Sequence, residues 1–472
     1  MPLGQLLVDH HLLDLSQLDE AREHQKLAGG SLIDSLLALD LVDSGEIESF
    51  LGQAPFAPES ATETGLGLKF LLSFVLKSMY STGCETIAQL CEFTKLSGGV
   101  IDDALEDAKA KRLVEVRGLA DTGRSHYRYA LTDAGRRWAV DALEQCSYAG
   151  PAPVPFASWQ QQVLKQSIAR DRATPESIAA ALSHLVLPAP TVRRLGPAAN
   201  SARAVLLYGA VGNGKTSIAE ALGHAYEQEI YIPHAVVIDG QIIKIFDDAV
   251  HHASEQEPAQ DMRWVRCRRP VVITGGELNI EMLDLSFDQV TKTYEAPAHI
   301  KATGGVFILD DFGRQRVEPT SLLNRWMIPL ERGVDYLTLH TGKKLKVHFD
   351  ELVVFSTNTP PSQLIDGAGL RRIPYKLSID APTGEDYAAI FRQLCAAHRL
   401  QLPHDVTCYL LDEFYPETGI EISASHPRFL LDHILERCRF EDRPPVIDVA
   451  HIFDAAHSLV VEGLPPRPKT AD

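Results

Sequence analysis

The chain has 472 residues, about three times the ~150 of a typical domain, which sets an expectation of two to four domains. Apolar residues make up 45% and charged residues 23%, which excludes a wholly disordered, collagen-like or disulfide-scaffold chain. The formal net charge of −18 makes the chain as a whole a poor partner for nucleic acid or an anionic membrane.

Residues 1–54 contain an internal repeat. PLGQLLVDHHLLD (2–14) realigns with SLIDSLLALDLVD (31–43) at an offset of 29 residues, so that Leu3/Leu32, Leu7/Leu36, Leu12/Leu41 and Asp14/Asp43 coincide and Leu18 matches Ile47. Such a period predicts two similar helical hairpins packed together. GQAPFAPESATET (52–64) and YAGPAPVPFA (148–157) are rich in Pro, Ala and small polar residues and read as linkers, the second a semi-rigid extended spacer. Between them, residues 65–146 form one small module: a helix over 67–80, TIAQLCEFT (86–94), a turn at 95–99 and a helix over 100–113. VEVRG (114–118) and HYRYALT (126–132) then alternate like a β-hairpin. This is a winged-helix pattern, and LTDAGRRWA (131–139) resembles the usual ending of such domains.

From residue 158 short apolar strands alternate with helices, which predicts an α/β unit with a mainly parallel sheet to about residue 384. Only helices are visible beyond it, over 384–400, 404–415, 427–439 and 447–462. The most apolar stretch, 65–80, is broken by Lys69 and Lys77, so no membrane span is expected. No basic segment precedes an apolar core at the N-terminus, so no secretory signal is read. The seven cysteines contain no C-x-x-C pair, which points to reduced thiols in a cytoplasmic protein and to no metal or disulfide framework.

The strongest chemical signal is AVLLYGAVGNGKTSIAEALGHAY (204–226). A buried strand, AVLLY, is followed by Gly209, Ala210, Val211, Gly212, Asn213, Gly214, Lys215 and Thr216, and then by a helix that opens with Ser217. This is the pattern G-x-x-x-x-G-K-[ST]. Its glycines let consecutive N–H groups converge on phosphates at a helix N-terminus. Lys215 is placed to reach the β- and γ-phosphates, and Thr216 to offer a hydroxyl to Mg²⁺. GGVFILDDFGR (304–314) is a second buried strand, ending in two acids. Asp310 is expected to hold Mg²⁺ and Asp311 to polarise the attacking water. A third strand, LVVFSTNTPP (352–361), brings Asn358 to the same end. GLRRIPYKLSID (369–380) supplies Arg371 and Arg372, either of which suits a γ-phosphate in a neighbouring subunit. Arg428 lies in the first turn of a helix, against the dipole preference for acids there, and so is expected to face an anion.

Taken in order, these elements resemble an AAA+ ATPase module over roughly residues 165–462. The resemblance implies a P-loop parallel sheet (158–384) with a helical lid (385–463), ATP and Mg²⁺ as ligands, ATP hydrolysis, and a homo-oligomeric ring that moves or remodels a protein partner. Walker A becomes Gly209 to Thr216, Walker B ends in Asp310 and Asp311, and sensor 1 is Asn358. The arginine finger is Arg371 or Arg372, and sensor 2 is Arg428. Asp311 stands where the family usually has Glu. DYLTLHTGKKLKVHF (335–349) alternates around His340-Thr341-Gly342 and resembles the pre-sensor hairpin of AAA+ remodelling ATPases, which often touches substrate or partner.

Residues 1–54 resemble the N-terminal domain of type II secretion and type IV pilus assembly ATPases through Leu3, Gly4, Leu7, Val8, Leu12, Leu13, Leu18 and Gln25. That resemblance implies a helical adaptor that docks a protein partner. The family's arginine position is Pro2 or Ser31 here, and its second glycine is His11 or Asp40; the missing arginine argues against cyclic di-GMP as a ligand. The alternative reading is a nucleotide-gated regulator whose winged helix reads DNA. Asp102, Asp103, Glu106 and Asp107 occupy the recognition-helix position, where phosphate would repel them, leaving Arg117, Arg124 and Arg128 as a basic wing. Protein is therefore the favoured partner.

Overall fold

A computed structural model describes residues 7–8, 11–28, 32–43, 45–47, 54–55, 57–119, 127–255 and 259–459. Near the N-terminus, α1 (Leu15–Ala28) and α2 (Leu32–Ala38) share a core of Leu7, Leu13, Ala21, Leu36, Val42 and Ile47. The sequence repeat recurs bond for bond. Leu12 N donates to Leu7 O and Leu41 N to Leu36 O, while Leu18 N donates to Asp14 O and Ile47 N to Asp43 O. His11 and Asp40 both adopt left-handed backbone, with φ of 59° and 54°. Asp14 Oδ1 caps α1 by accepting from Gln17 N at 2.8 Å, and Asp43 Oδ1 accepts from Glu46 N at 3.3 Å. Leu3, Gly4, Pro2 and Ser31 lie outside the described residues.

The middle module contains α3 (Leu68–Thr82), α4 (Ile87–Thr94), α5 (Gly98–Ala110), a hairpin of β1 (Val114–Leu119) and β2 (Tyr127–Leu131), and α6 (Asp133–Gln145). Thr86 and Gln89 form a capping box on α4, and Thr132 caps α6. Leu71, Phe74, Val75, Leu90, Val100, Ile101, Leu105 and Ala139 fill the core. Arg124 lies outside the described residues.

The two segments read as linkers are packed. Ala61 N donates to Asp103 Oδ2 at 2.8 Å and Ser97 Oγ to Pro58 O at 2.5 Å, so the first lies along α5. In the second, Ala152 is fully buried and its N–H donates to Thr94 O. The next turn of chain, β3 (Val154–Pro155), joins a sheet. Proline lacks an N–H, but at an edge it removes no ladder bond, so Pro-rich composition does not prevent docking.

The α/β part opens with α7 (Phe156–Lys165) and α8 (Ala189–Asn200). Its main sheet uses β4 (Val205–Tyr208), β9 (Val271–Thr274), β12 (Val306–Leu309), β15 (Leu352–Thr357) and β16 (Tyr375–Ser378), in the order β16-β4-β15-β12-β9 and parallel throughout. Counted along the chain, that order is 5-1-4-3-2. Alternate residues serve opposite cores: Val205, Leu207, Val306, Ile308 and Val354 on one face, Leu206, Phe307, Leu309, Val353 and Phe355 on the other. Burial on both faces is why these strands read as unbroken apolar runs. Helix α9 (Lys215–Gly223) follows β4.

A second five-stranded sheet was not anticipated. It orders β10 (Ser286–Asp288), β11 (Thr293–Glu295), β7 (Gln241–Lys244), β6 (Ala235–Ile238) and β3. Its strands are two to four residues long, too short to register as periodicity. The β6–β7 turn carries Asp239 and Gly240 at φ 49° and 77°, the two-residue hairpin geometry with positive φ at both positions. β5 (Ile230–Pro233) pairs with β8 (Trp264–Cys267) beside it.

After α10 (Ala298–Lys301), β12, α11 (Pro319–Arg325) and α12 (Met327–Arg332) comes the expected hairpin, β13 (Val334–Thr338) with β14 (Lys344–His348). Its tip packs on the second sheet. His340 stacks on Phe287 with ring centroids 4.4 Å apart, and His340 N donates to the Tyr294 hydroxyl at 3.0 Å. The same sheet meets the middle module, where Ser147 N donates to Thr291 O.

Helix α13 (Gly367–Arg372) leads into β16. The C-terminal helices are α14 (Gly384–Ala397), α15 (His404–Cys408), α16 (His426–Phe440) and α17 (Val449–Ala456), around Tyr387, Phe391, Leu410, Phe414, Leu430, Ile434 and Ile452. Helix α15 runs on through a π-helical turn, Tyr409–Phe414, and a last turn, Tyr415–Thr418. Among the described residues no helix is long and apolar enough to cross a membrane. All seven cysteines are free.

His234 joins β5 to β6 and lies against Phe246. Burial pushes its imidazole down to about 4, and the positive charge of Lys95 adds to the shift. Unfolded histidine titrates near 6.5, so between those values the unfolded state binds the extra proton. The resulting stability is complete above about 6.5 and is lost as pH falls toward 4. Melting curves at pH 7, 5.5 and 4.5 should show this decline, and His234→Gln should make it shallower.

Candidate functional site

The loop after β4 bends back over the sheet end because three glycines allow it. Gly209 has φ 149°, and a Cβ there would come within 2.2 Å of Ile379 O. Gly212 and Gly214 are left-handed, with φ of 82° and 79°, and Gly214 is the residue before α9. Ala210 and Val211 face solvent, Asn213 is buried and Ser217 is half-buried. Lys215 is buried, with its Nζ donating to Gly209 O at 3.1 Å and Ala210 O at 2.8 Å. The ammonium is therefore held over the loop on neutral acceptors, which a phosphate oxygen can replace with stronger charge-assisted bonds. Burial lowers its pKa, and the carboxylates of Asp310 and Asp311 oppose that shift.

The two acids stand at the end of β12, in the crevice at the carboxyl end of a parallel sheet. Asp310 Oδ1 accepts from Thr216 Oγ1 at 2.9 Å, although these residues are 94 positions apart. Its N–H donates to Thr274 O, and Gln315 Nε2 donates to its carbonyl at 2.8 Å. Asp311 Oδ1 accepts from Asn358 Nδ2 at 2.8 Å. Asp311 also has φ 49°, left-handed backbone in which Asp is enriched among non-glycine residues. That gives a local reason for the shorter acid at this position.

The helical part reaches the same loop. Ser423 Oγ donates to Val211 O at 3.3 Å, and Ala424 N approaches Asn213 Oδ1 at 3.5 Å. The Asn213 amide nitrogen is buried without a hydrogen-bond partner. Arg428 follows in the first turn of α16, exposed. Arg371 is exposed at the end of α13, whereas Arg372 is ion-paired with Glu331 of α12 at 2.8 Å. The structure thus gathers residues 209–217, Asp310, Asp311 and Asn358 into one place and leaves Arg371 and Arg428 at the surface.

Sequence reasoning missed Ser423, Ser425 and Gln315. The serines had one signal, the small-residue run SASHP ahead of α16. Gln315 had none, since its role depends on a turn that also satisfies Gly313 N through its side-chain oxygen at 2.8 Å.

A family described as "Domain of unknown function (DUF8689)" matches residues 383–458, the helical part from the start of α14 to the end of α17. Comparison with curated protein sequences finds no match. Among solved structures the chain is similar to NtrX from Brucella abortus in complex with ADP, at 15% identity and TM-score 0.39, covering 62% of this chain and 60% of that one. It is also similar to NtrX in complex with ATP, at 13% identity and TM-score 0.34, covering 74% and 60%. Domain III of the Thermotoga maritima replication initiation protein DnaA matches at 13% identity and TM-score 0.32, covering 60% and 97%. The chain thus spans about 60% of the length of the NtrX structures. At these TM-scores the likenesses decide nothing about function, which rests on the residues of the site itself.

A Cβ on Gly212 would lie 2.3 Å from both Ser423 Oγ and Ser425 Oγ, and its left-handed backbone disfavours any side chain. Gly212→Ala should push residues 423–425 away from the loop after β4. Opening relieves that clash, so hydrogen exchange across residues 423–429 should quicken.

Proposed function

We propose that this chain is an ATP-binding and ATP-hydrolysing protein of the AAA+ type, which acts as a homo-oligomeric ring to move or remodel a protein partner. The observation that carries the reading is the contact between Thr216 Oγ1 and Asp310 Oδ1 at 2.9 Å, which joins the phosphate loop to the acidic strand end. The strand order 5-1-4-3-2, the Asn358–Asp311 bond and the lid contact on Val211 support it.

In this reading the backbone N–H groups of residues 210–216 bind the phosphates and Lys215 carries the positive charge to them. The Thr216 hydroxyl and the Asp310 carboxylate are hard oxygen donors, a set that fits Mg²⁺, which takes one or two carboxylates together with phosphate oxygens and water. When bound, Mg²⁺ neutralises charge on the phosphates. Asp311, oriented by Asn358, accepts the proton of the attacking water. Arg371 is the better finger, because Arg372 is already paired with Glu331. Arg428 reaches the nucleotide from the lid.

Residues 65–146 act as a winged-helix module and 1–54 as a protein-docking adaptor. DNA reading is not favoured, because Asp102, Asp103, Glu106 and Asp107 occupy the recognition-helix position, α5, where phosphate repels them.

Lys215→Ala should abolish nucleotide binding. ATP with Mg²⁺ at ~100 times the dissociation constant stabilises a binding-competent protein by about 2.7 kcal/mol, and the variant should show no such rise in melting temperature. Asp311→Asn should keep that rise while steady-state phosphate release falls by about a hundredfold or more. Asp311→Glu should also be slower, because the longer acid is less at ease at positive φ. Wild-type turnover in Asp311→Asn would overturn the assigned role.

Arg371→Ala should lower turnover by roughly a thousandfold with ATP affinity retained, and wild-type specific activity should rise with protein concentration. Turnover independent of concentration would exclude a finger that acts between subunits.

A further inference from the structure

On the middle module, α5 and the β1–β2 hairpin enclose a cleft of about 550 Å³. Val114 and Val116 lie on one face of β1, and Val116 faces Tyr129 across the ladder. Val114, Tyr129 and Leu105 are closed over by the core, but Val116 is 42% exposed. The apolar face of the hairpin therefore continues past the core into the open cleft. An exposed β-branched residue in line with buried ones is the floor of a groove. The rim is acidic: Asp102 and Glu106 line it against a single cation, Lys109.

Two other faces of the module are covered. Residues 57–64 lie along α5 through Asp103, Ser97 and Gly99. The end of α6 and the chain after it sit on the turn between β10 and β11, through Lys292 Nζ to Glu144 O at 2.6 Å and Ser147 to Thr291. Among the described residues, none covers the cleft between α5 and the hairpin.

We propose that this cleft docks a basic peptide segment of a partner protein, with the partner's apolar side chains on Val116 and Tyr127 and its cations on Asp102 and Glu106. The occupant follows from charge complementarity. A cation is attracted by these two carboxylates, whereas a nucleic-acid phosphate is repelled by them. Docking here is independent of nucleotide binding, so failure of one assignment leaves the other standing.

The test uses the intact chain and fluorescein-labelled ten-residue peptides, alternating Lys/Leu, Lys/Ser or Glu/Leu, with a 20-base-pair duplex DNA of mixed sequence as a fourth probe. The Lys/Leu peptide should bind most tightly and, in a photo-crosslinking form, should attach within residues 102–116 and 127–129. Val116→Thr preserves shape and charge at an exposed strand position. It should weaken the Lys/Leu peptide by about fourfold and leave the Lys/Ser peptide unchanged, which separates the groove from diffuse attraction to an acidic protein. Glu106→Lys should weaken both basic peptides about tenfold or more. Unchanged Lys/Leu affinity in Val116→Thr, crosslinks elsewhere, or duplex DNA binding more tightly than the Lys/Leu peptide would each overturn the proposal.

Discussion

Strand β15 lies between β4 and β12, and its register decides where both of their ends fall. Val354 is level with Val205 on one side, and Leu352 with Val306 on the other. The same strand end then fastens both loops. Thr357 O accepts from Gly209 N, Ser356 O accepts from Phe312 N, and Thr357 Oγ1 donates to Phe312 O. Thr216, Asp310 and Asn358 come together only because these bonds align three strands whose sequences are far apart. A slip of one residue would send each apolar side chain to the opposite core.

The loops beyond that sheet are tied to the rest of the chain by buried polar contacts. Asp335, at the start of the β13–β14 hairpin, accepts from His299 Nε2 at 3.0 Å and from Arg325 Nη1 at 2.5 Å. Against its burial, these bonds hold the Asp335 carboxyl below its usual value. His299 precedes β12, and Arg325 ends the helix that follows the acidic loop. The hairpin is thus bonded to both flanks of the acidic strand, and its tip lies on the second sheet. That sheet in turn carries the middle module. A continuous packed route runs from the acidic strand end to the cleft beside Val116. Continuity of packing is a route for coupling and is not itself evidence that coupling occurs.

The candidate-site residues were legible because the chemistry they suit needs short, dense patterns. A backbone that approaches phosphate needs glycines at fixed spacing, and the acids Asp310 and Asp311 end an unbroken apolar run, Val306 to Leu309. The repeat in residues 1–54 was legible because Leu7/Leu36, Leu12/Leu41 and Asp14/Asp43 recur at one fixed offset. The second sheet was not legible. Its strands are two to four residues long, and such short runs look like loops. The packed segments 57–64 and 148–157 were misread because composition reports how a free chain behaves and says nothing of an edge waiting to receive it.

From its sequence alone, this chain determined which residues could meet a nucleotide, the alternation of strand and helix around them, and the helical character of the chain beyond residue 384. These are local properties, set by backbone freedom, periodicity and the run length of apolar residues. Tertiary structure alone decided that Asp310 meets Thr216, that Arg372 is occupied by Glu331 while Arg371 is exposed, and that Ser423 closes on Val211. It also decided that the hairpin tip touches the second sheet through the stacking of His340 on Phe287 and that Val116 is exposed. Each of these depends on the relative placement of elements distant in sequence, which packing of the shared cores sets and no local pattern encodes.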